Sequence, residues 1–176
     1  MNLNLQQIEA IPESYPAVDG VTGDALAVAW QRIDQYIKMR FSEREIVWIV
    51  QGDTSRVWYP PIGPVTDIDG EIIDGAVAFD LTACGTGYYL PNGLVKLTAT
   101  VGAGPVPPIV AMAVKRLAAF YSAEIAAPGG VRSYSLSVGD MSESMVLPPD
   151  RLAKALQDSG AADLLRGYRK ATPWPS

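Results

Sequence analysis

The sequence contains no histidine among its 176 residues. Histidine titrates nearest to neutral pH, and it is the side chain that most often serves as a general base or a transition-metal ligand. Serine nucleophiles normally need such a base, so the serines between positions 133 and 144 do not predict a catalytic triad. The absence of histidine therefore makes an enzyme less expected, and we predict no catalytic residue.

Cysteine is nearly absent as well. Cys84 is the only cysteine in the chain, so no internal disulfide can form, which fits a reducing compartment. The simplest interpretation of Cys84 is a small packed residue.

The sequence also lacks a long hydrophobic run and a targeting signal. Its longest apolar stretch, residues 109–114, is far shorter than the ~20 residues that cross a bilayer. Residues 1–7 contain no basic region followed by an apolar run and so do not predict a secretory signal. We expect a soluble protein without a membrane partner, long enough for one domain with a buried core.

Positive charge is scarce in most of the chain. The net charge is −5, the wrong sign for a protein that grips phosphates. Residues 1–149 hold 9 Lys and Arg against 16 Asp and Glu, whereas residues 150–176 hold 5 against 3. This asymmetry predicts a basic tail with its own partner, an acidic protein surface. Charge alone fits equally well with Arg166, Arg169 and Lys170 merely solvating a helix end.

Three acidic residues close in sequence could offer oxygen ligands to a hard cation: Asp67, Asp69 and Asp74. An EF-hand loop needs another ligand ahead of its glycine and a distal glutamate, and neither is in place. A hairpin with its turn at Asp69-Gly70 explains the segment better. We therefore predict no metal and no cofactor, with a metal-dependent hydrolase that uses these carboxylates kept as an alternative.

Hydrophobic periodicity predicts two long helices. The first begins at Asp24, a suitable N-cap, and is expected to end near Phe41. The second begins at Pro108, which suits the first turn of a helix, and is expected to run to about Ala126. Because the second helix is apolar around much of its circumference, we expect it to be buried in a core or between copies of the protein.

Residues rich in β-branched and aromatic types predict a small antiparallel β unit at about 45–104. Its strands are expected at residues 45–51, 56–59, 65–68, 71–73, 76–81, 88–90 and 94–101. A β-like or mobile loop that forms a contact surface is expected at 131–147, a short helix from 149–150, and a last helical turn at 163–168.

The predicted fold class is therefore α+β. We expect a helical bundle, made of a long N-terminal helix, a long apolar central helix and short C-terminal helices, with the small antiparallel β unit inserted into it. The predicted domains are an extended arm at 1–21, the α+β body at 22–160 and a C-terminal docking tail at 161–176.

The order of motifs along the chain adds a further clue. A helix containing Ala29-Trp-Gln-Arg-Ile-Asp-Gln-Tyr-Ile37 precedes Trp48-Ile-Val-Gln-Gly52 and Trp58-Tyr-Pro-Pro-Ile-Gly-Pro-Val65. Residues 94–104, the helix that ends Ala118-Ala-Phe-Tyr-Ser122, and Leu164-Leu-Arg-Gly-Tyr-Arg169 follow. In this combination and order, roughly residues 22 to 170 resemble the head-tail connector adaptor family of tailed bacteriophages and gene transfer agents.

The resemblance implies a structural role, and it predicts that the protein is not an enzyme. Such adaptors form a twelve-membered ring under the portal protein at the head–tail junction of the virion, and they present a surface to a stopper or tail-completion protein. The resemblance implies assembly in the host cytoplasm, no cofactor, and passage of genome DNA through the bore without sequence-specific binding. The nearest alternative is a stopper or tail-completion protein, which would be richer in β structure. A generic α+β domain with unknown partners is a third possibility.

The resemblance also implies two sets of contact residues. The C-terminal segment of such adaptors commonly docks on the portal, which here assigns portal binding to Leu164, Leu165, Arg166, Tyr168, Arg169 and Trp174. A ring also needs head-to-tail contacts between copies. We expect the apolar helix and the serine-rich loop to provide them through Met112, Arg116, Phe120 and Tyr134.

Overall fold

The computed structural model describes residues 2–102, 104–126, 133–138, 141–146 and 154–169. The strands within these residues are β1 (Leu3–Glu9), β2 (Arg44–Gly52), β3 (Val57–Trp58), β4 (Val65–Ile72), β5 (Val77–Phe79), β6 (Thr82–Cys84), β7 (Gly87–Tyr89), β8 (Gly93–Val101), β9 (Ser133–Val138) and β10 (Met141–Val146). The helices are α1 (Gly23–Ile37), α2 (Pro108–Ala126), α3 (Ala155–Asp158), α4 (Ala161–Leu164) and a 3-10 turn at Arg166–Tyr168. The chain divides into two compact units, one built on Met1–Pro16 and Lys38–Pro105 and one on Ala17–Ile37 and Val106–Ala171.

The first unit contains a five-stranded antiparallel sheet with the strand order β1-β2-β8-β4-β5. Alternate residues of β2 are buried, among them Trp48, which lies opposite Leu97 of β8. This period of two is what a strand shows when one face of the sheet is buried. The sheet therefore presents one apolar face to the core of its unit.

A three-stranded sheet with the order β3-β7-β6 contributes to the same core. Trp58 of β3 is buried, and its ring meets the Trp48 ring edge-on, with centroids 5.4 Å apart and an interplanar angle of 67°. Edge-to-face contacts of this kind are favourable for aromatic pairs. The two tryptophans thus connect the two sheets.

The described residues of the second unit form helices and one hairpin. Helix α1 buries the apolar face that the sequence predicts, including Trp30 and Ile33. Helix α2 packs against α1 and α4, and the Tyr121 hydroxyl of α2 accepts a hydrogen bond of 3.2 Å from Arg32 Nε of α1. Strands β9 and β10 form an antiparallel hairpin in this unit.

The predicted fold class, a helical bundle with a small inserted β unit, is wrong. The protein is mostly β, with antiparallel sheets of five and three strands, and α3 and α4 have only four residues each. The main reason is that strands extend beyond the predicted insertion. Leu3–Glu9, expected to lie in an extended arm, pairs with β2 along the edge of the large sheet. Inside the predicted insertion, Thr82–Cys84 forms a further strand that was not predicted.

The hairpin turn predicted at Asp69-Gly70 is also wrong. Strand β4 continues through Gly70 to Ile72, and Gly70 pairs with Phe79 of β5. A Cβ on Gly70 would lie only 2.5 Å from Phe79 Cζ, so glycine is needed there because the aromatic ring covers the strand. The turn instead begins at Ile73, and its residues include Gly75, whose φ of 97° favours glycine.

The predicted bounds agree with the structure for one of the two long helices and not for the other. Helix α2 spans Pro108–Ala126, as predicted. Helix α1 ends at Ile37 rather than near Phe41, because Lys38 adopts φ of 58° and so leaves the right-handed helical region. The expected helix start at 149–150 lies outside the described residues.

Candidate interaction surfaces

Helix α2 carries a row of exposed residues along one side, although the helix as a whole is strongly apolar. Ile109 and Met112 are 41% and 49% exposed, and Arg116 and Ala119 are also exposed. Their spacing of three and four residues places them on one helical face. We call Ile109, Met112, Arg116 and Phe120 the α2 surface.

Three of the residues predicted for a subunit interface lie on this surface. Met112, Arg116 and Phe120 follow one another at four-residue steps along α2. Phe120 is half-buried, and its ring lies edge-on to Tyr121 at a centroid distance of 6.3 Å. The fourth predicted residue, Tyr134, lies in strand β9 opposite Met145 of β10.

No described helix is both long and apolar enough to cross a membrane.

The guanidinium group of Arg116 lies next to the connection between α3 and α4. A Cβ on Gly160 would lie 3.2 Å from Arg116 Nη1. Gly160 has φ of 70°, which allows the sharp turn between the two short helices. Arg116 is therefore close to the C-terminal segment.

The C-terminal segment, residues 154–169, packs within the second unit. Ala155, Ala161 and Leu165 are fully buried, with 0% exposure, and α3 and α4 contact α2. The Arg169 guanidinium lies 5.0 Å from the centre of the Tyr36 ring of α1, a cation–π geometry. The segment is thus anchored at both of its ends.

The residues predicted to bind a portal have different exposures in this segment. Arg166 and Arg169 are exposed, and Leu164 and Tyr168 are half-buried. Leu165 is fully buried, so the prediction that its side chain is a docking contact does not agree with its position in the core. The sixth predicted residue, Trp174, lies outside the described residues.

An ion-pair cluster that the sequence did not predict anchors strand β1 in the first unit. Glu9 Oε1 accepts hydrogen bonds from Arg40 Nε at 2.6 Å and from Arg44 Nη1 at 2.9 Å, and Oε2 accepts one from Arg40 Nη2 at 2.8 Å. Both arginine side chains are nearly inaccessible, at 4% and 5% exposure. Partial burial raises the pKa of Glu9, but the hydrogen bonds and charges of Arg40 and then Arg44 outweigh it, so this pKa lies below its ordinary value.

Strand β1 also supplies polar partners to the buried tryptophans. Trp48 Nε1 donates to Gln7 Oε1 at 3.0 Å, and Trp58 Nε1 donates to Asn4 Oδ1 at 2.8 Å. Buried indole N–H groups usually need such an acceptor. The strand therefore completes the core through its amide side chains, while several of its apolar residues, such as Leu5 and Ile8, remain exposed.

The carboxylates considered for a cation lie along β4 and in the turn that follows. Asp67 and Asp69 are two positions apart on β4, and Asp74 lies beyond its end. No three His, Cys, Asp or Glu residues in the described part of the chain are arranged to hold a metal ion. The adjacent open cleft of about 550 Å³ is lined by Glu71 as well as by Lys96, whose Nζ is 3.9 Å from Glu71 Oε2. Nothing in this geometry favours the metal-dependent hydrolase.

Comparison with known proteins gives matches to solved structures. No family model matches the chain, and no curated protein matches it significantly. A chain of the virion of a native gene transfer agent particle is similar over 100% of this chain and 98% of that one, with a TM-score of 0.57 and 15% identity. A chain in the neck of a native GTA particle, computed with C12 symmetry, is similar over 86% of this chain and 83% of that one, with a TM-score of 0.56 and 17% identity. A chain in the neck of an empty GTA particle, computed with C6 symmetry, has a TM-score of 0.56 and 18% identity over 86% of this chain and 79% of that one.

Proposed function

We propose that this chain is a structural component of the neck of a phage-like particle, and specifically an adaptor that joins the portal protein of the DNA-filled head to a stopper or tail-completion protein. The observation that carries the proposal is the similarity in fold, along the whole length of both chains, to a chain of a gene transfer agent virion. The similar chains from GTA necks agree with it. The proposed location is the head–tail junction of the virion, after assembly in the host cytoplasm.

The proposed assembly is a ring of twelve copies. One of the similar chains comes from a neck computed with C12 symmetry. A closed ring requires that each copy offer two different, complementary surfaces to its neighbours. The α2 surface, with exposed Ile109 and Met112, is suited to be one of them.

The proposed role is passive with respect to DNA and is not enzymatic. The body of the chain is acidic, and its copies would give the bore of a ring a negative potential that repels DNA phosphates. The genome would pass through without sequence-specific binding. No membrane partner and no cofactor belong to the proposal.

The proposed portal contact is the exposed part of the C-terminal segment together with the residues that follow it. Arg166 and Arg169 would provide charge, Leu164 and Tyr168 would provide apolar contacts, and Trp174 would extend the surface. Leu165 is left out because it is buried.

A second candidate, a stopper or tail-completion protein, is favoured by one observation. The fold is mostly β, and strand-rich structure is what we expect of those two neck components rather than of an adaptor. The position of the chain along the neck distinguishes the candidates, because an adaptor contacts the portal directly and the others do not.

The test of the proposed function is to locate the chain in purified particles. A particle-producing strain with an epitope tag on this chain should give particles whose necks bind the antibody in electron micrographs. Averaging of the neck should place the ring next to the portal. A ring separated from the portal by another protein would favour the second candidate, and particles whose necks lack the chain would refute both.

Portal docking can be tested with a truncation and a substitution that leave the core intact. A chain that ends at Arg169, and a full-length chain with Arg166→Glu, should both bind purified portal more weakly than the wild-type chain. Glu13→Gln, a substitution of an exposed residue in the first unit, is the matched control and should bind normally. Normal portal binding by both test variants would contradict the proposed contact.

A further inference from the structure

Strand β1 is attached to the first unit by polar contacts and by backbone pairing. Six of its seven residues are exposed, and Glu9 is half-buried. Its contacts are the pairing with β2, the amide acceptors for Trp48 and Trp58, and the ion pairs of Glu9. The buried apolar residues of this unit, from Ile46 to Val101, come from the other strands and their connections. The strand therefore completes a core whose apolar side chains are supplied elsewhere.

The first unit is also discontinuous along the chain. Its part Met1–Pro16, which includes β1, is separated from its part Lys38–Pro105 by Ala17–Ile37, which belongs to the second unit. Within the first unit, β1 is thus joined to β2 by non-covalent contacts, and the covalent connection leaves the unit and returns to it. A terminal element attached in this way can be exchanged between identical chains, which is the low-cost route to assembly called domain swapping.

The site on β2 is specific for the sequence of β1. Residues three positions apart on a regular strand point to opposite faces. The register of β1 shifts between Asn4 and Gln6, and this irregularity brings the amides of Asn4 and Gln7 to the indoles of Trp58 and Trp48. A strand that binds here needs a bulge, two amide oxygens and a carboxylate in matching positions. The segment whose fit the structure shows is Leu3–Glu9 of this same chain.

The N-terminal segment also carries apolar side chains that its own unit does not cover. Leu3, Leu5 and Ile8 of β1 are 50%, 54% and 54% exposed, and Ile11 is 86% exposed. Exposed apolar side chains grouped on one segment are typical of a surface that is covered in an assembly. If the segment crosses from one copy to the next, these side chains lie at the boundary between the copies and are shielded from water.

We propose that β1 is exchanged between copies of this chain, so that Leu3–Glu9 of one copy pairs with β2 of the next. The inference rests on the proposed function, because the ring supplies the neighbouring copy. Each contact that β1 makes with β2 is made again with identical residues, so the exchange loses no pairing, and cover for the exposed apolar side chains favours it. Each copy gives β1 to one neighbour and receives β1 from the other, which is a heterologous contact that closes into a ring.

The decisive experiment uses two cysteines in one chain. Ile8 and Val47 lie directly opposite each other in β1 and β2, and such pairs have Cα atoms about 4.5–5.5 Å apart, a distance that a disulfide spans. A chain with Cys84→Ser, Ile8→Cys and Val47→Cys is assembled into particles and oxidised mildly. Exchange joins each copy to the next, so a denaturing gel without reductant should show a ladder of crosslinked species. Pairing within one chain gives a monomer whose thiols no longer react with a maleimide.

The matched control places the two cysteines within the continuous part of the same unit. Ile49 and Lys96 lie opposite each other in β2 and β8, both inside Lys38–Pro105. Ile49→Cys with Lys96→Cys, also in the Cys84→Ser background, should give an internal disulfide. Its yield of crosslinked oligomers should be about tenfold lower than that of the test chain, because neither strand is exchanged.

The outcomes separate the inference from the proposed function. If the chain forms a ring in the neck and the test chain gives only the internally oxidised monomer, the exchange is wrong and the proposed function stands. If neither a ladder nor an internal disulfide forms while the control is oxidised, the pairing of β1 with β2 is itself wrong, and the exchange is overturned. If the chain is absent from the neck, the proposed function fails, and the inference falls with it.

Mixed particles provide an independent check. One chain carries Ile8→Cys, and a second, differently tagged chain carries Val47→Cys, both with Cys84→Ser. Oxidised particles that contain both chains should yield a dimer with both tags, and particles with either chain alone should yield about tenfold less dimer, because one partner cysteine is missing. Circular dichroism of both chains verifies that they fold. Absence of the doubly tagged dimer, with both chains folded and present in the neck, would overturn the exchange.

Discussion

Arg40 holds the carboxylate of Glu9 with two parallel hydrogen bonds, Nε to Oε1 at 2.6 Å and Nη2 to Oε2 at 2.8 Å. This bidentate geometry matches the planar guanidinium to the planar carboxylate and makes a strong charge-assisted contact. Because Arg40 is nearly inaccessible to solvent, the contact also neutralises a charge that water cannot reach. The end of strand β1 is thereby fixed to its unit.

Removing the charge of Glu9 should destabilise the first unit. Glu9→Gln removes the carboxylate that accepts hydrogen bonds from the nearly inaccessible Arg40 and Arg44, and we expect a loss of about 3 kcal/mol in the free energy of unfolding. Urea denaturation, monitored by tryptophan fluorescence, measures this loss of stability. The control is Glu13→Gln, at an exposed position, which should change the stability by less than about 0.5 kcal/mol. Equal midpoints for the two variants would contradict a stabilising role for the cluster.

The same cluster should give the protein a specific pH dependence. The pKa of Glu9 is lowered on folding from an ordinary value of 4.5, so its contribution is fully present above pH 4.5 and is lost as pH falls through the lower, folded-state pKa. The difference in stability between wild type and Glu9→Gln should be constant from neutral pH to about 5 and should shrink at lower pH. Denaturation curves of both proteins across this range test it, since other carboxylates cancel in the difference. A difference that grows as pH falls would show the opposite sign of shift.

Two neighbouring leucines should respond differently to truncation. Leu165→Ala removes a fully buried side chain, and we expect a loss of about 2–5 kcal/mol in the free energy of unfolding. Leu164→Ala alters a half-buried side chain and should cost about 1 kcal/mol or less. Thermal and urea unfolding of both variants give the comparison. A larger loss for Leu164→Ala would mean that the C-terminal segment packs with a different face.

Strand β4 should not tolerate a side chain at position 70. Gly70→Ala would place a Cβ against the ring of Phe79, with an expected loss of about 1–3 kcal/mol. In a Phe79→Ala background the same substitution should be nearly neutral, because the ring is gone. A double-mutant cycle measures the coupling between the two positions. Additive losses would contradict direct contact between ring and strand.

Local sequence patterns predicted the elements that are held by local periodicity. Alternation in β2 and β8, and the four-residue spacing of apolar residues in α1 and α2, are visible in short windows. The bulky residues that these patterns placed inside, such as Trp30 and Trp48, are fully buried. These parts of the fold follow from residue periods alone.

The features that sequence reasoning missed depend on partners far along the chain. Strand β1 has amides at Asn4 and Gln7, where a core-facing strand usually has apolar residues. The side-chain oxygens of these amides accept hydrogen bonds from the indole N–H groups of Trp58 and Trp48. No local sequence pattern reveals such pairings. Gly70 looked like a turn residue because its covering ring comes from the next strand. Misplacing these strands led to a prediction of too much helix and too little sheet.

The positions of the candidate contact residues in the fold were predictable in part. Met112, Arg116 and Phe120 could be placed together because one helix carries them at regular spacing. The burial of Leu165 could not be read from its sequence, because Leu164 and Leu165 are adjacent and only the packing of α4 decides which one turns inward. The Glu9 cluster had no signal beyond two arginines four residues apart, since Glu9 comes from another strand.

Strand β8 pairs with both β2 and β4 and is the last strand of the large sheet to be synthesised. At roughly 5–20 residues per second of translation, β2 waits on the order of seconds for this partner, with one of its edges unpaired. Pairing across such long stretches of chain also slows folding itself. The nascent polypeptide is therefore most prone to aggregate in this interval, before the residues of β8 leave the ribosome.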